Sequence, residues 1–378
     1  MAKLTKRYYT HCVRDLLVTA SLISASMLYF QPAKASIIAP AFAANVTILA
    51  TGFNNPRGLK FGPDGNLYVA EGGTGGGDST DGVCEQVVAP IGPYTGSNSG
   101  GRISKVEMNG TRTTVIETLP SSQTSAQSGN LVSGVADVAF VGNTLYALLA
   151  GAGCSHGVTS LPNGIVRVDR QAHSATLVAN LSAYQQTHHT AVVEEDDFEP
   201  DGTWYSMVAV RGELYAVEPN HAEIDKITTG GAITRLIDVS ASQGHVVPTA
   251  MTYHGNFYLS NLDTFPQTLG SSKVWKITPS GQIKAIASGF DMVLGIVFDK
   301  FDRMYVLEMS HSTLPDPTAA RIVRVQPSGE KQVIVDSNDG LVLPTGMTIG
   351  PDGNLYVSNL GFGTPPGAGQ VLKINLDQ

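Results

Sequence analysis

One short pattern returns six times along the chain and constrains its fold more than any other feature. Each copy is a short segment that ends in a tyrosine. A second, strand-like segment with a basic residue follows it. The tyrosines are Tyr68, Tyr146, Tyr215, Tyr258, Tyr305 and Tyr356. A unit that recurs every roughly 40–50 residues is typical of propellers and solenoids. The pattern therefore predicts an all-β chain built from repeated units.

The units also predict how the chain closes on itself. Each unit reads as four antiparallel strands, but the last one ends after its third strand, at 370–375. The segment 46–53 has the pattern of the missing fourth strand, as comparison with 283–290 shows. We therefore predict a six-bladed β-propeller whose last blade is closed by the N-terminal strand, because closure leaves no long sheet edge exposed. A seven-bladed ring with a degenerate blade in 182–203 is the alternative, but that segment is too short for four strands.

Residues 1–43 have the features of a signal peptide. Basic residues precede an apolar stretch, 16–30, that is shorter than the roughly 20 residues of a membrane-spanning helix. The small-residue site Ala41-Phe42-Ala43 predicts cleavage after Ala43 and a propeller domain at 44–378, whereas an uncleaved anchor is the alternative. Cys84 and Cys154 remain after cleavage, and two cysteines in an exported chain predict a disulfide. We expect a periplasmic or secreted protein.

Charge narrows the range of partners. The chain has a net charge of −8, and removal of its basic leader makes the remainder more acidic. A protein without a basic surface has nothing to neutralise phosphates, which argues against nucleic acid as a partner. No second apolar run is long enough to span a bilayer. The expected partner is a small organic molecule or another exported protein, and the expected state is a monomer.

The residue three positions after each repeat tyrosine should end the second strand of its blade, near the propeller axis. Together with Arg57, we expect these residues to form the rim of a ligand-binding channel: Glu71, Leu149, Glu218, Asn261, Glu308 and Asn359. Oxygen ligands from several strands suit a hard cation, so Glu71, Glu218, Asn261, Glu308 and Asn359 are candidate Ca²⁺ ligands. The alternative is an ordinary water-filled channel.

Histidines add a catalytic hypothesis. Glu218 and Glu308 are each followed three positions later by a histidine, His221 and His311. Glutamate and histidine together suit Zn²⁺ or a general acid and base, so His221, His311 and Glu308 are the catalytic candidates. His245 is expected on the same face, where the long loops gather, and long loops on a rigid scaffold commonly carry function.

Three segments, 55–73, 304–308 and 344–359, resemble the ScyD/ScyE family of exported bacterial propellers, which is similar to NHL-type and lactonase-type propellers. The resemblance implies a role in late extracytoplasmic steps of secondary-metabolite biosynthesis, that of the indolic-phenolic pigment scytonemin, with a small organic ligand. Two alternatives stay open. One is a metal-dependent hydrolase or lyase of the lactonase-like type that uses Glu71, Glu218 and Glu308 with His221 or His311. The other is a protein-interaction platform.

Overall fold

The computed structural model describes residues 45–193 and 199–376, which form six antiparallel sheets arranged as the blades of a β-propeller. The predicted six-bladed all-β fold is therefore confirmed. The predicted signal peptide at 1–43 lies outside the described residues and stays a prediction.

Each blade contains four strands in antiparallel order, and the first blade carries a short fifth strand at its edge. The N-terminal strand is β1 (Val46–Phe53), and blade 1 contains β2 (Pro56–Phe61), β3 (Leu67–Glu71), β4 (Thr95–Val106), β5 (Arg112–Gln123) and β6 (Val132–Ser133). Blade 2 contains β7 (Val135–Val141), β8 (Thr144–Leu149), β9 (Gly164–Asp169) and β10 (Ser174–Asn180). Blade 3 contains β11 (Ser206–Val210), β12 (Glu213–Glu218), β13 (Glu223–Ile227) and β14 (Ile233–Asp238). Blade 4 contains β15 (Pro248–Tyr253), β16 (Phe257–Asn261), β17 (Ser272–Ile277) and β18 (Ile283–Phe290). Blade 5 contains β19 (Val293–Phe298), β20 (Met304–Glu308), β21 (Arg321–Val325) and β22 (Lys331–Asp336). Blade 6 contains β23 (Gly346–Ile349), β24 (Leu355–Asn359) and β25 (Gly369–Ile374).

The N-terminal strand completes blade 6, as the sequence predicts. β1 pairs antiparallel with β25, from Val46 opposite Ile374 to Phe53 opposite Gly369. Val46 also packs into the apolar cluster between blades 5 and 6, which contains Leu307 and Leu355. Strand pairing and side-chain burial therefore both close the ring.

Short helices lie in links between blades and in loops within blades. The links contain α1 (Leu181–Gln185), α2 (Ser240–Gln243) and the 3-10 turn Ser337–Asp339, whereas the 3-10 turns Ala126–Ser128 and Cys154–His156 lie within blades 1 and 2. The Asn180 side chain caps α1 by accepting the backbone N–H of Ala183. Among the described residues, no helix combines the length and apolar character that a bilayer crossing requires.

The repeat tyrosines belong to the scaffold. The hydroxyls of Tyr68, Tyr305 and Tyr356 donate to aspartates in the turns before their strands, at 3.0, 3.0 and 2.9 Å. Those aspartates are Asp64, Asp299 and Asp352. In the other three blades this turn carries no aspartate. In blades 1, 5 and 6 the recurring tyrosine therefore fixes the first hairpin of the blade.

The predicted disulfide is confirmed. Cys84 and Cys154 are bonded across 70 residues of sequence. Cys84 lies in the long loop after β3 and Cys154 in the loop after β8, so the bond joins the loops of blades 1 and 2 on one face. The Thr80 hydroxyl, which donates to the carbonyl of Cys154, adds a second link between the same loops.

Candidate functional site

One face of the propeller carries a large cavity, which we call the loop-face cavity. Its volume is about 860 Å³. Loops after the second strand of each blade and links between blades surround it, and all six blades contribute. One lining residue from each blade in turn is Arg57, Ala150, Asn220, Leu262, Met309 and Phe362. The closed ring therefore brings loops of all six blades around one cavity that opens to solvent.

The lining of the loop-face cavity is mostly apolar. Aromatic side chains come from Trp204, Tyr205, Phe265 and Phe362, and aliphatic ones from residues such as Leu131. Because a pocket that holds an organic molecule usually combines apolar walls with a few polar groups, this composition suits a largely apolar ligand.

Tyr205 lies between the loop-face cavity and a smaller cavity of about 200 Å³ inside the ring, since it lines both. Its hydroxyl donates to the carbonyl of Thr345, in the link to blade 6, at 2.7 Å. Burial raises the pKa of Tyr205 far above its usual value, so its hydroxyl stays protonated and can keep donating. Tyr205 therefore forms part of the floor of the larger cavity.

The smaller cavity contains a buried carboxylate, Asp137. Its oxygens accept the backbone N–H groups of Met207 and Val138, both at 2.8 Å, and Lys60 lies 3.5 Å away. Burial raises the pKa of Asp137, and Lys60 opposes that shift. A Cβ on Gly58 would lie 2.0 Å from Oδ1 of Asp137, so only glycine fits beside this carboxylate. The hydrogen bond from the backbone N–H of Met207 to Asp137 therefore joins β11 of blade 3 to β7 of blade 2.

The structure places the predicted rim residues differently from one another. Arg57 lines the loop-face cavity. The six that follow the repeat tyrosines are buried and at most 2 % exposed: Glu71, Leu149, Glu218, Asn261, Glu308 and Asn359. None of these six lines the loop-face cavity.

Four of the six buried residues share one structural role. Each accepts the backbone N–H of a residue in the link that leads into its own blade. The donor and acceptor pairs are Asn54 to Glu71, Thr203 to Glu218, Asp291 to Glu308 and Val342 to Asn359. Asn261 instead accepts the backbone N–H of Lys273, in the third strand of its own blade. Carboxylate or amide oxygens at this position therefore satisfy backbone donors that the sheets leave unpaired.

Two of these carboxylates also pair with partly buried arginines. Glu71 accepts both Nε and Nη2 of Arg102, at 2.8 and 2.6 Å. Glu308 accepts Arg321 in the same way. In both blades the arginine is the register partner of the glutamate on the next strand.

One group of potential metal ligands exists among the described residues, Asp291, Glu308 and His311, whose ligand atoms lie within 4.8 Å of one another. Glu71 and Glu218 are not part of it. Protein donors already occupy the group: His311 bonds to Asp291, Gly270 N–H donates to Asp291, and Arg321 pairs with Glu308. The donor set therefore fits an ion-pair network, since a cation here would have to displace Arg321.

The histidines separate in space. His221 is buried against Glu218, at 3.1 Å. Burial alone would raise the pKa of Glu218, but His221 and the hydrogen bonds from His221 and Thr203 outweigh it, so the pKa is lowered. His311 is 45 % exposed and bonds to Asp291. Neither lines the loop-face cavity, whereas His245 and Asn220 do. The motif around Glu218 thus contributes Pro219 and Asn220 to the lining and turns its histidine inward.

Sequence reasoning missed a buried polar wall behind the loop-face cavity. Tyr94, which lines the cavity, donates its hydroxyl to Glu199 at 2.6 Å and packs edge-on against His156. His156 bonds to the Ser122 hydroxyl at 2.9 Å, and burial lowers the pKa of His156 to about 4. The His156 side chain is therefore uncharged near pH 7. No local signal in the sequence predicts this wall, because its residues lie far apart along the chain.

Comparison with known proteins defines the fold class. No protein-family model matches the chain, and no curated protein is similar to it in sequence. Among solved structures, a gluconolactonase from Xanthomonas campestris is 9% identical with a TM-score of 0.53, the match covering 91% of this chain and 94% of that one. A calcium-binding regucalcin from Agrobacterium tumefaciens is 13% identical with a TM-score of 0.53, covering 90% and 96%. The chain therefore shares the six-bladed fold of gluconolactonase-like and regucalcin-like propellers.

Proposed function

We propose that the protein binds a small organic molecule in the loop-face cavity. The observation that carries the proposal is an apolar, aromatic space of about 860 Å³ that loops of all six blades enclose. Small-molecule sites are commonly clefts of about 300–1,000 Å³ with mostly apolar walls and a few polar groups. The closed ring and the Cys84–Cys154 bond hold the surrounding loops in place, which reduces the ordering cost of binding.

Tryptophan fluorescence and calorimetry can test this proposal. The chain has two tryptophans, and only Trp204 lines the cavity. In a Trp275→Phe variant we expect aromatic ligands to quench Trp204 and to give saturable heats of binding. Ser133→Phe, which adds a ring to the cavity lining, should weaken binding about tenfold or more through steric conflict. Ser280→Phe, the same change in an exposed turn between β17 and β18, is the control. Unaltered binding by a folded Ser133→Phe variant would place the ligand elsewhere.

Lactone hydrolysis is a second candidate function. The fold shared with a gluconolactonase supports it, and the cavity lining includes His245 and Asp263, two groups able to transfer protons. We expect His245→Gln to lower the hydrolysis of aromatic and aliphatic lactones by about a hundredfold, the usual scale of one general acid or base. His311→Gln, a histidine outside the lining, should leave the rate unchanged. Equal rates for both variants, or no hydrolysis with or without added Ca²⁺, would rule this candidate out.

The resemblance to exported pigment-associated propellers gives the binding proposal a finer form. In that form the ligand is an intermediate in late, extracytoplasmic assembly of a secondary metabolite. The disulfide is compatible with export, since such bonds persist in oxidising compartments. Genes for aromatic metabolism beside the coding gene would support this form, and their absence would count against it.

A further inference from the structure

Arg57 is a partly buried arginine in the wall of the loop-face cavity. Four other partly buried arginines pair with a carboxylate: Arg102, Arg235, Arg303 and Arg321. Three more, Arg112, Arg170 and Arg324, form no ion pair among the described residues, but none of them lines the cavity. Arg57 forms no ion pair among the described residues, although it lies in the wall of the loop-face cavity. Its guanidinium therefore has no carboxylate countercharge within residues 45–193 and 199–376.

The hydrogen bonds of Arg57 leave most of its donors available. Nη2 donates to the carbonyl of Val132 at 2.5 Å, which holds the side chain against the wall. A guanidinium has five N–H donors in a planar fork, so four remain. Burial lowers the pKa of Arg57 from its usual value, and Tyr205 is the neighbour that opposes this shift. Because arginine stays charged in proteins, the cavity holds a partly desolvated cation.

The described residues around Arg57 place no negative charge within ion-pair distance of its guanidinium. Asp263 is the one carboxylate among the described lining residues, and it does not come within 4.0 Å of the guanidinium. Its Oδ1 accepts the backbone N–H of Thr264. The remaining lining is dominated by apolar groups, including Trp204, Phe265 and Phe362. An unpaired cation in such a setting raises the free energy of the folded protein unless an anion from solution pairs with it.

We propose that the ligand of the loop-face cavity is an organic carboxylate with an aromatic body. The carboxylate accepts the free N–H groups of Arg57, a geometry that the planar fork favours. The aromatic body packs among the apolar side chains of the lining. This inference rests on the proposed function, since it names the chemical class of the molecule that the cavity binds.

A matched pair of probes separates charge from shape. 2-Naphthoate and 2-naphthamide have nearly the same size, but only the first is an anion. In calorimetry with the wild-type protein we expect 2-naphthoate to bind about tenfold more tightly or better, the scale of a hydrogen-bonded charge. Quenching of Trp204 in the Trp275→Phe variant places both probes in the cavity.

Variants of Arg57 assign the preference to this side chain. Arg57→Gln should remove the preference for 2-naphthoate and leave the affinity for 2-naphthamide within about threefold, because the neutral probe does not depend on the charge of Arg57. Arg57→Lys should keep part of the preference for 2-naphthoate. It replaces Arg57→Gln as the test variant if Arg57→Gln does not fold. Equal wild-type affinities, or an undiminished preference in either folded variant, would overturn the carboxylate inference while cavity binding stands. Binding of neither probe would overturn the proposed function as well.

Discussion

Glu71→Gln is expected to destabilise the protein by about 3–5 kcal/mol, the usual cost of breaking a buried ion pair. Glu71 is fully buried and accepts Arg102, the Ser104 hydroxyl and the backbone N–H of Asn54. The substitution leaves the Arg102 charge without its partner and places an amide N–H₂ against groups that donate. Chemical denaturation monitored by circular dichroism measures the loss.

A matched control lies in the same blade. Glu107 pairs with Lys105 at 3.9 Å, but its side chain is 42% exposed. Glu107→Gln should change the unfolding free energy by no more than about 0.5 kcal/mol, since exposed pairs contribute little. The double variant Glu71→Gln with Arg102→Met should be less destabilised than the two single changes added together. Additive effects, or a Glu71→Gln variant as stable as wild type, would contradict the assignment of Glu71 to the scaffold.

Blade 3 contains buried carboxylates with too few partners. Asp225 is fully buried, and neither of its oxygens has a hydrogen-bond partner among the described residues. Glu223 lies two positions earlier on β13, so its side chain is on the same face of the strand. Arg235 pairs with Glu223, while Glu218 and Tyr184 are the other titratable groups that act on Asp225 or feel its charge.

Burial raises the pKa of Asp225 to about 8, and the negative charge of Glu223 adds to this shift. Burial raises the pKa of Glu223 to about 7, against the attraction of Arg235. The folded state therefore keeps protons that the unfolded state releases near pH 4. Stability that depends on these protons is complete below that pH and declines as the pH rises through the folded-state values. Between pH 6.5 and 8.5 the protein should lose about 1–2 kcal/mol of unfolding free energy.

Asp225→Asn should flatten this pH dependence and raise the unfolding free energy at pH 8.5 by about 2–3 kcal/mol, because it removes a buried charge. The window from pH 6.5 upward avoids His156, whose pKa burial lowers to about 4 and which opposes the trend at lower pH. Asp81→Asn, an exposed aspartate, is the control and should follow the wild type. Urea denaturation at four pH values across the window measures the slopes. Parallel curves for wild type and Asp225→Asn would disprove the assignment.

The repeat made the fold predictable from sequence. The recurring tyrosine gave six units, and the match between 46–53 and 283–290 predicted the pairing of β1 with β25. The Cys84–Cys154 bond followed from cysteine number and an exported chain. Arg57 and His245, both selected from sequence, line the loop-face cavity. The fold and the disulfide were predictable because they depend on a local pattern that repeats and on a single pair of cysteines.

The roles of Glu71, Glu218 and Glu308 were decided by tertiary structure. The sequence placed each at the end of a second strand but not the direction in which its side chain points. That direction depends on the backbone N–H groups that the links leave unpaired and, for two of the three, on an arginine from the neighbouring strand. The loop-face cavity has the same dependence, because its lining runs from Arg57 to Phe362 and meets only when the ring closes. Periodicity along the chain thus determined how many blades form, whereas burial and unmet hydrogen bonds decided which polar side chains support the scaffold and which line the loop-face cavity.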